Sequence, residues 1–403
     1  MKPAAKGIGA PAETLALAAA GLEAEFALVV DGQPTRPEDV FGDPRGFIRA
    51  PLMHRVGTSY HLPNGTAIYF DTGVVEIATP AMELARGCMA RAGRSLWESI
   101  ALVRAELDAW ERRTGRVARL AGFSAHYNTS LAQGERRRLP HARLDRLARA
   151  LTYVLAPPVM LLATNRRSTG VGVRPRRHRI EVTADFTPDP ALMIATGSLI
   201  LGIVRDVMTW PSWSIRSLGR DIPIVHGFTP MPHTSRRGWL ARWDCYPHNP
   251  FTGDVDAAVW TTTQGPLALR AIAHRIFDRF RRSIARVSDP FSLRLIASIL
   301  GRNGPSLLTL PDRPDAYDDV GRLSVWSGRR RSGVMTRSRY ERALMNAVAG
   351  RPLRLFGSWC TPVLVRGWSV VVFRREDDGA RIALPIDTLV PRLDEWERGD
   401  SRP

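Results

Sequence analysis

Four segments of the chain carry polar, metal-competent side chains at every second position, and that period fixes them as strands. In Leu22-Glu23-Ala24-Glu25-Phe26 the glutamates stand two apart, so an extended backbone points both to one face and the apolar residues to the other. His126, Asn128 and Ser130 alternate with Ala125, Tyr127 and Thr129. Arg179, Glu181, Thr183 and Asp185 alternate with Ile180, Val182 and Ala184, and Glu76 stands between Val75 and Ile77. Alternation alone is the ordinary mark of a strand with one wet face. These faces, however, concentrate hard oxygen donors, and carboxylates side by side repel unless a cation lies between them. Aligned in one sheet, the four strands make a wall of carboxylates, an imidazole and an amide, a donor set that suits Mg2+.

The rest of the pattern says what surrounds that wall. Residues 81–113 carry apolar positions at helical spacing (Met82, Leu84, Met89, Leu96, Ile100, Val103, Leu107, Trp110) and stop at Thr114-Gly115. Residues 141–163 read as an apolar helix with Pro157-Pro158 as a break, and further helices fill 188–209 and 265–300. The run TAIYFDTGVVEIATP reads as one strand region, NRRSTGVGVRPRRHR as an arginine- and glycine-rich loop, and 211–262 as an irregular segment rich in Trp, Pro and Gly. A helix near 337–349 and short strands around 353–373 and 381–386 close the chain. The order predicts an α+β fold, a mostly antiparallel sheet flanked by helices. It is divided here into a catalytic domain over 1–335 and a small C-terminal α/β appendage over 336–403. A chain of 403 residues buries about three quarters of its unfolded surface and needs no disulfide to fold.

In this order, the segments GLEAEF (Gly21 to Phe26), VVEIATP (Val74 to Pro80), GFSAHYNTS (Gly122 to Ser130) and RIEVTADFTPDP (Arg179 to Pro190) resemble the motifs of glutamate–cysteine ligases and related carboxylate–amine ligases of the glutamine synthetase-like superfamily. The resemblance covers residues 20–210, about half of the chain. It implies a funnel-shaped sheet with ATP entering at one end, and a reaction in which a carboxylate is phosphorylated to an acyl phosphate that an amine then attacks. It also implies ATP as cosubstrate and two or three Mg2+ ions, with Mn2+ as a substitute. No GxxxxGK[ST] sequence occurs, which excludes a P-loop.

Carried over residue by residue, the resemblance makes Glu23, Glu25, Glu76 and Glu181 metal ligands, with His126 completing one site and Glu23, Glu181 and Arg179 nearest the chemistry. Asn128 and Ser130 face the bound phosphates or substrate. Asp71 lies an odd number of residues from Glu76, so one regular strand would need a bulge at Gly73 to bring it to the same metal. Arg166, Arg167, Arg174, Arg177 and Arg179 are the candidates to hold phosphate and carboxylate groups, which planar guanidinium forks pair bidentately. The family commonly reads Glu-Val-Arg where this chain has Glu181-Val182-Thr183, a departure that bears on the substrate and on activity.

The net charge of +18 arises from 57 basic residues, all arginine except Lys2 and Lys6. Codon bias accounts for such a skew, and so does a surface that attracts phosphates or acidic partners. Expected partners are therefore amino acids or other small carboxylates and amines, with an acidic peptide or carrier protein as a further substrate; nucleic acid and membrane are not expected. The reading from a different class is a non-catalytic basic protein of the same fold that docks nucleic acid or an acidic carrier. Cys88, Cys245 and Cys360 are too sparse for a disulfide framework or a metal-binding pair. Trp210, Trp213, Trp239 and Trp243 suit a substrate wall or ordinary core packing. Lys2, Lys6 and the apolar Leu15–Ala20 imitate a signal peptide, but Glu13 interrupts it and cleavage after Ala20 would fall against the first metal-binding strand. A cytoplasmic location is expected.

Overall fold

The computed structural model describes residues 15–132, 141–233, 237–309 and 337–398; the Gly7-Ile8-Gly9 motif and the runs Arg136–Arg138 and Arg329–Arg331 lie outside them. The Glu23 segment forms β1 (Ala19–Val30), in which every second residue is buried. The Asp31-Gly32 turn returns the chain as β2 (Gln33–Thr35), and a short helix α1 (Pro37–Phe41) leads to β3 (Met53–Val56), β4 (Ser59–His61), β5 (Ala67–Asp71), β6 (Val74–Ala78) and β7 (Met82–Glu83). Helix α2 (Cys88–Thr114) stops at Gly115 in the left-handed conformation, and β8 (Ala118–Ser130) follows. Next come α3 (His141–Ala163), β9 (Val171–Arg176), β10 (Arg179–Asp185), α4 (Pro190–Val207), α5 (Ile215–Asp221), β11 (Met231–Pro232) and β12 (Trp239–Ala241). The hairpin β13 (Trp260–Thr262) and β14 (Gly265–Leu267) then leads into α6 (Leu269–Val287) and α7 (Pro290–Leu300).

Twelve of these strands form one sheet whose main path runs β11-β12-β9-β10-β8-β1-β6-β5-β4-β3. Its strand pairs are antiparallel, so the fold is the α+β arrangement of an antiparallel sheet flanked by helices. One face is apolar: Leu22, Ala24, Phe26, Ile77, Tyr127, Ile180 and Val182 are buried in a core shared with Leu96 and Trp97 of α2 and with α3, α4 and α6. The other carries the alternating polar residues, and it is not solvated, since Glu76, His126, Arg174 and Glu181 are buried.

Three local expectations are corrected. The TAIYFDTGVVEIATP run is two strands, not one: Thr72 and Gly73 both adopt positive φ (50° and 95°), the geometry of a two-residue hairpin turn. Asp71 therefore pairs across from Val74, and Tyr69 from Glu76, so Asp71 shares the face of Glu76 without a bulge. Helix α3 runs through Pro157-Pro158 unbroken, because Ala150–Ala163 is buried throughout and surrounding packing holds the helix where two N–H donors are missing. Much of the expected loop after it is strand β9, and Arg174 and Arg176 share one of its faces.

Stretches of 18 residues in α3 and α4 are apolar enough to cross a membrane, but 89% and 72% of the residues in them are buried inside the protein, so their apolar surface is spent on the core. The close fit of α4 to α6 depends on Gly202, where a Cβ would stand 2.5 Å from the Ile284 Cα and 2.8 Å from its nitrogen. Backbone cannot give way as a side-chain tip can.

The last part of the chain comprises α8 (Arg339–Val348), β15 (Leu353–Leu355), β16 (Ser358–Arg366), β17 (Val370–Arg375), β18 (Arg381–Pro385), α9 (Ile386–Leu389) and α10 (Leu393–Arg398). The four strands form a separate antiparallel sheet. They share a second core with Leu15, Ala19 and Met53 from the beginning of the chain. A buried ion pair ties the parts together: Arg94 of α2 donates to both oxygens of Glu341 at 2.7 and 2.8 Å. Glu341 also accepts from Arg337 and from the Ser338 backbone N–H, which caps α8.

Substituting Gly202→Ala overpacks the α4–α6 contact and lowers the unfolding free energy by about 1–3 kcal/mol, read from the denaturant midpoint.

Candidate active site

The register of the large sheet assembles the polar face. Glu23 stands opposite His126, which stands opposite Thr183; Glu25 stands between Glu76 and Ser124; Asn128 stands between Gly21 and Glu181. A bulge in β8 puts Ser124 across from Glu25 and Gly122 across from Phe26, leaving Phe123 outside the ladder and exposed. Ser124 lies on the regular side of that bulge and by alternation shares one face with His126, Asn128 and Ser130.

Two sets of ligand atoms come within 4.8 Å of one another: Glu23, Glu76 and His126, and Glu25, Asp71 and Glu76. The His126 Nδ1 lies 3.2 Å from Glu23, while Nε2 lies 3.3 Å from the Ser124 hydroxyl and 3.6 Å from Glu25. Ser124 donates to Glu25, and Tyr69 donates to Glu76, each at 2.5 Å. The charges are divided by this crowding. Burial, then the neighbouring Glu23 charge, pushes the Glu76 carboxyl up to about 8. Burial would raise Glu23 as well, but the His126 hydrogen bond and the Arg179 charge bring it down to about 2. Burial opposes protonation of His126, yet its hydrogen bond to Glu23 and the surrounding carboxylates win and its pKa is raised.

Glu181 lies outside both sets. It is buried, and its carboxylate is bound by Arg174 and by Arg176 at 2.7 and 3.1 Å, with Arg179 at 3.8 Å. Burial and the Glu23 charge would raise its pKa, and the Arg176 hydrogen bond and Arg174 charge hold it low. As built, Glu181 organises guanidinium groups; to serve as a metal ligand it would have to exchange these partners. Thr183 stands across from Gly172 and His126, with a buried hydroxyl that has no hydrogen-bond partner. Arg174 of the adjacent strand lies opposite Glu181, so arginine does reach this part of the face, from β9.

Arg179 donates to the Asn128 side-chain carbonyl at 2.8 Å. Ser130 accepts from the Ala19 backbone N–H at 2.8 Å and so fixes the start of β1. These residues open on a cavity of about 270 Å³ lined by Gly21, Glu23, Asn128, Ser130, Arg177 and Arg179, with Trp368 on its far side. Trp368 sits in the turn between β16 and β17, beneath the Arg55 guanidinium at 4.9 Å and beside the His61 ring. The His61 ring also lies 3.2 Å from the Gly367 carbonyl oxygen. Arg166 and Arg167 are placed elsewhere, exposed on the loop before β9, where Arg166 donates to the Thr252 carbonyl.

Sequence reasoning missed Tyr69, Ser124, Arg176 and Trp368. The first three carried a signal: each has the parity of a named residue, once the hairpin at Thr72-Gly73 and the β9 strand are recognised. Trp368 carried none, since a tertiary contact brings it in. The donor chemistry fits hard divalent ions, and the unpartnered, buried Asn128 Nδ2 and Thr183 Oγ1 leave polar capacity for a bound group on the same face. Cys88, Cys245 and Cys360 are buried, free thiols.

Fold and site together define an α+β protein whose large antiparallel sheet, flanked by helices, carries a face crowded with carboxylates. No protein-family model matches the sequence, and no curated protein does. Among solved structures, this chain is similar to the complex between prokaryotic ubiquitin-like protein Pup and its ligase PafA, with a TM-score of 0.53 and 11% identity over 94% of this chain and 93% of that one.

Because the folded protein holds a proton on Glu76 up to about pH 8 while an unfolded glutamate loses it near 4.5, raising the pH through that window destabilises the metal-free fold. Mg2+ competes with that proton. Calorimetry in buffers of different ionisation enthalpy is expected to show proton release on Mg2+ binding at neutral pH, with affinity rising up to about pH 8 and the release smaller in Glu76→Gln, where the His126 proton is still displaced.

Proposed function

We propose that the chain is an ATP- and Mg2+-dependent carboxylate–amine ligase that forms an amide or peptide bond through an acyl phosphate. What supports this is the juxtaposition, on one sheet face, of two oxygen-rich ligand sets with an arginine-lined cavity beside them. Glu23, Glu76 and His126 would hold one ion, and Glu25 and Asp71, sharing Glu76, a second. Bound there, Mg2+ neutralises charge on the transferring phosphoryl group.

The chain's own groups do the rest. Arg177, Arg179 and Asn128 grip phosphate oxygens in the cavity, and the Trp368 indole gives the nucleoside a flat apolar wall. Arg174 and Arg176, oriented by Glu181, meet the substrate carboxylate with bidentate geometry. A carboxylate oxygen attacks the γ-phosphorus and ADP leaves. The amine nitrogen then attacks the acyl carbon, phosphate leaves with the bonding electrons, and the surplus amine proton passes to a carboxylate of the wall. The site is largely shielded from water, which protects an acyl phosphate from hydrolysis. A reaction that consumes ATP goes with a cytoplasmic location.

A glutamate–cysteine specificity is the narrower form of this reading, and Thr183 in place of the family's arginine weighs against adopting it. A protein-borne substrate is the second form. It is favoured by the match to a ligase bound to Pup along nearly the whole chain, and by the net charge of +18, which suits an acidic partner.

ADP formation with paired carboxylates and amines, free or carried on an acidic protein, tests the proposal. Glu23→Ala and Glu76→Gln are expected to lower the rate by about a hundredfold or more with the fold intact by circular dichroism. ATP turnover indifferent to both substitutions would overturn it.

A further inference from the structure

A second cleft, of about 410 Å³, lies between α3 and the segment Pro211–Ile215, and it shares no residue with the cavity beside the carboxylates. Helix α3 packs on β9 and β10 against the side of the sheet to which Val173 and Val182 point, whereas Arg174 and Glu181 point to the other. The cleft is thus separated from the polar face by the thickness of the sheet.

Arg143, Arg146 and Arg149 line one wall, and Ser212, Trp213 and Ser214 the other; among the described residues no acidic one lines it. Spaced three apart on one helix, the arginines keep to one face, their α-carbons spanning about 9 Å end to end. All three are exposed. Aromatic rings hold two of the guanidiniums: Arg143 lies over Trp213 at 5.5 Å, and Arg149 over Trp239 at 4.8 Å. The Trp213 indole N–H donates to the Val207 carbonyl at 2.8 Å, so that ring cannot swing away. Three cations placed close together repel, and stacking on fixed rings is what keeps the planar forks aimed and ready. The Ser212 and Ser214 oxygens accept from the backbone N–H groups of Ser214 and Ser217, which leaves each hydroxyl proton to donate.

From this we infer that the cleft is a second binding site, for a compact polyphosphate such as the phosphate chain of a nucleotide. Density of charge separates this ligand from an acidic peptide. Linked phosphates share bridging oxygens and crowd several negative charges into one pocket, whereas carboxylates on one side of an extended peptide repeat only every 6–7 Å or so. The indole wall adds a surface on which a base can lie flat.

Calorimetric titration with sodium tripolyphosphate, ATP, a short oligothymidylate and hexaglutamate, all in EDTA to silence the metal-dependent site, tests the inference. Tripolyphosphate or ATP is expected to bind the wild type and Arg179→Ala alike. The double variant Arg143→Ala/Arg146→Ala should lose about tenfold or more in affinity at an unchanged melting temperature. Tighter binding of tripolyphosphate and ATP than of oligothymidylate supports a compact polyphosphate. Tighter, steeply salt-dependent binding of the oligonucleotide would mark a nucleic acid chain and overturn the inference. Absence of tripolyphosphate binding, affinity unchanged in the double variant, or tighter binding of hexaglutamate than of tripolyphosphate would overturn it.

Discussion

Repulsion between carboxylates that the backbone forces together is the constraint around which this molecule is arranged. Antiparallel register sets Glu25 directly against Glu76, two residues from Glu23 on its own strand and two strands from Glu181. Pleat geometry sends all of them to one face, and no rotamer choice separates groups in adjacent rows. The metal-free protein meets the conflict with every device available: a proton kept on Glu76, a positive charge favoured on His126, hydroxyl donors from Tyr69 and Ser124, and arginines around Glu181. Under the proposed function, each of these except the arginines is a stand-in that a divalent ion would replace.

The arginine side of the site follows a different logic. A buried carboxylate flanked by two guanidiniums is expensive to desolvate and is seldom a net source of stability. Its value here lies in direction, since Glu181 holds Arg174 and Arg176 in fixed orientation on the strand next to Thr183. Where the family pattern places an arginine on the glutamate's own strand, this chain supplies guanidinium groups from the neighbouring one, and the spot beneath them is left small.

The strands that carry chemistry could be read from alternation because a period of two survives in sequence regardless of what packs on top. Glu23, Glu25, His126, Asn128, Glu181 and Arg179 were visible for that reason. The relation of Asp71 to Glu76 was misread, since a two-residue turn at Thr72-Gly73 restores the parity that counting along one strand destroys. Arg174 was named but put in a loop, because Gly170, Gly172 and Pro175 mask a strand whose ladder partners supply what its own propensity lacks. Trp368 depended on long-range packing, which leaves no local trace, whereas Ser124 had the parity of His126. Helix α3, with two prolines inside it, shows tertiary burial overruling the strongest local helix breaker.

The Arg94–Glu341 pair joins residues separated by 247 positions. During synthesis α2 leaves the ribosome long before α8 exists, so until then Arg94 lacks its bidentate partner and has Glu98 of the same helix, 3.6 Å away, to share its charge. The start of β1 waits too, because Leu15 and Ala19 belong to the core built by the final strands. Trp368, which closes the cavity beside Glu23, arrives with the same late segment. The carboxylate face can be assembled early, but the cavity beside it is completed only after the last strands are made, and an interrupted chain would carry the donor set without that enclosing wall.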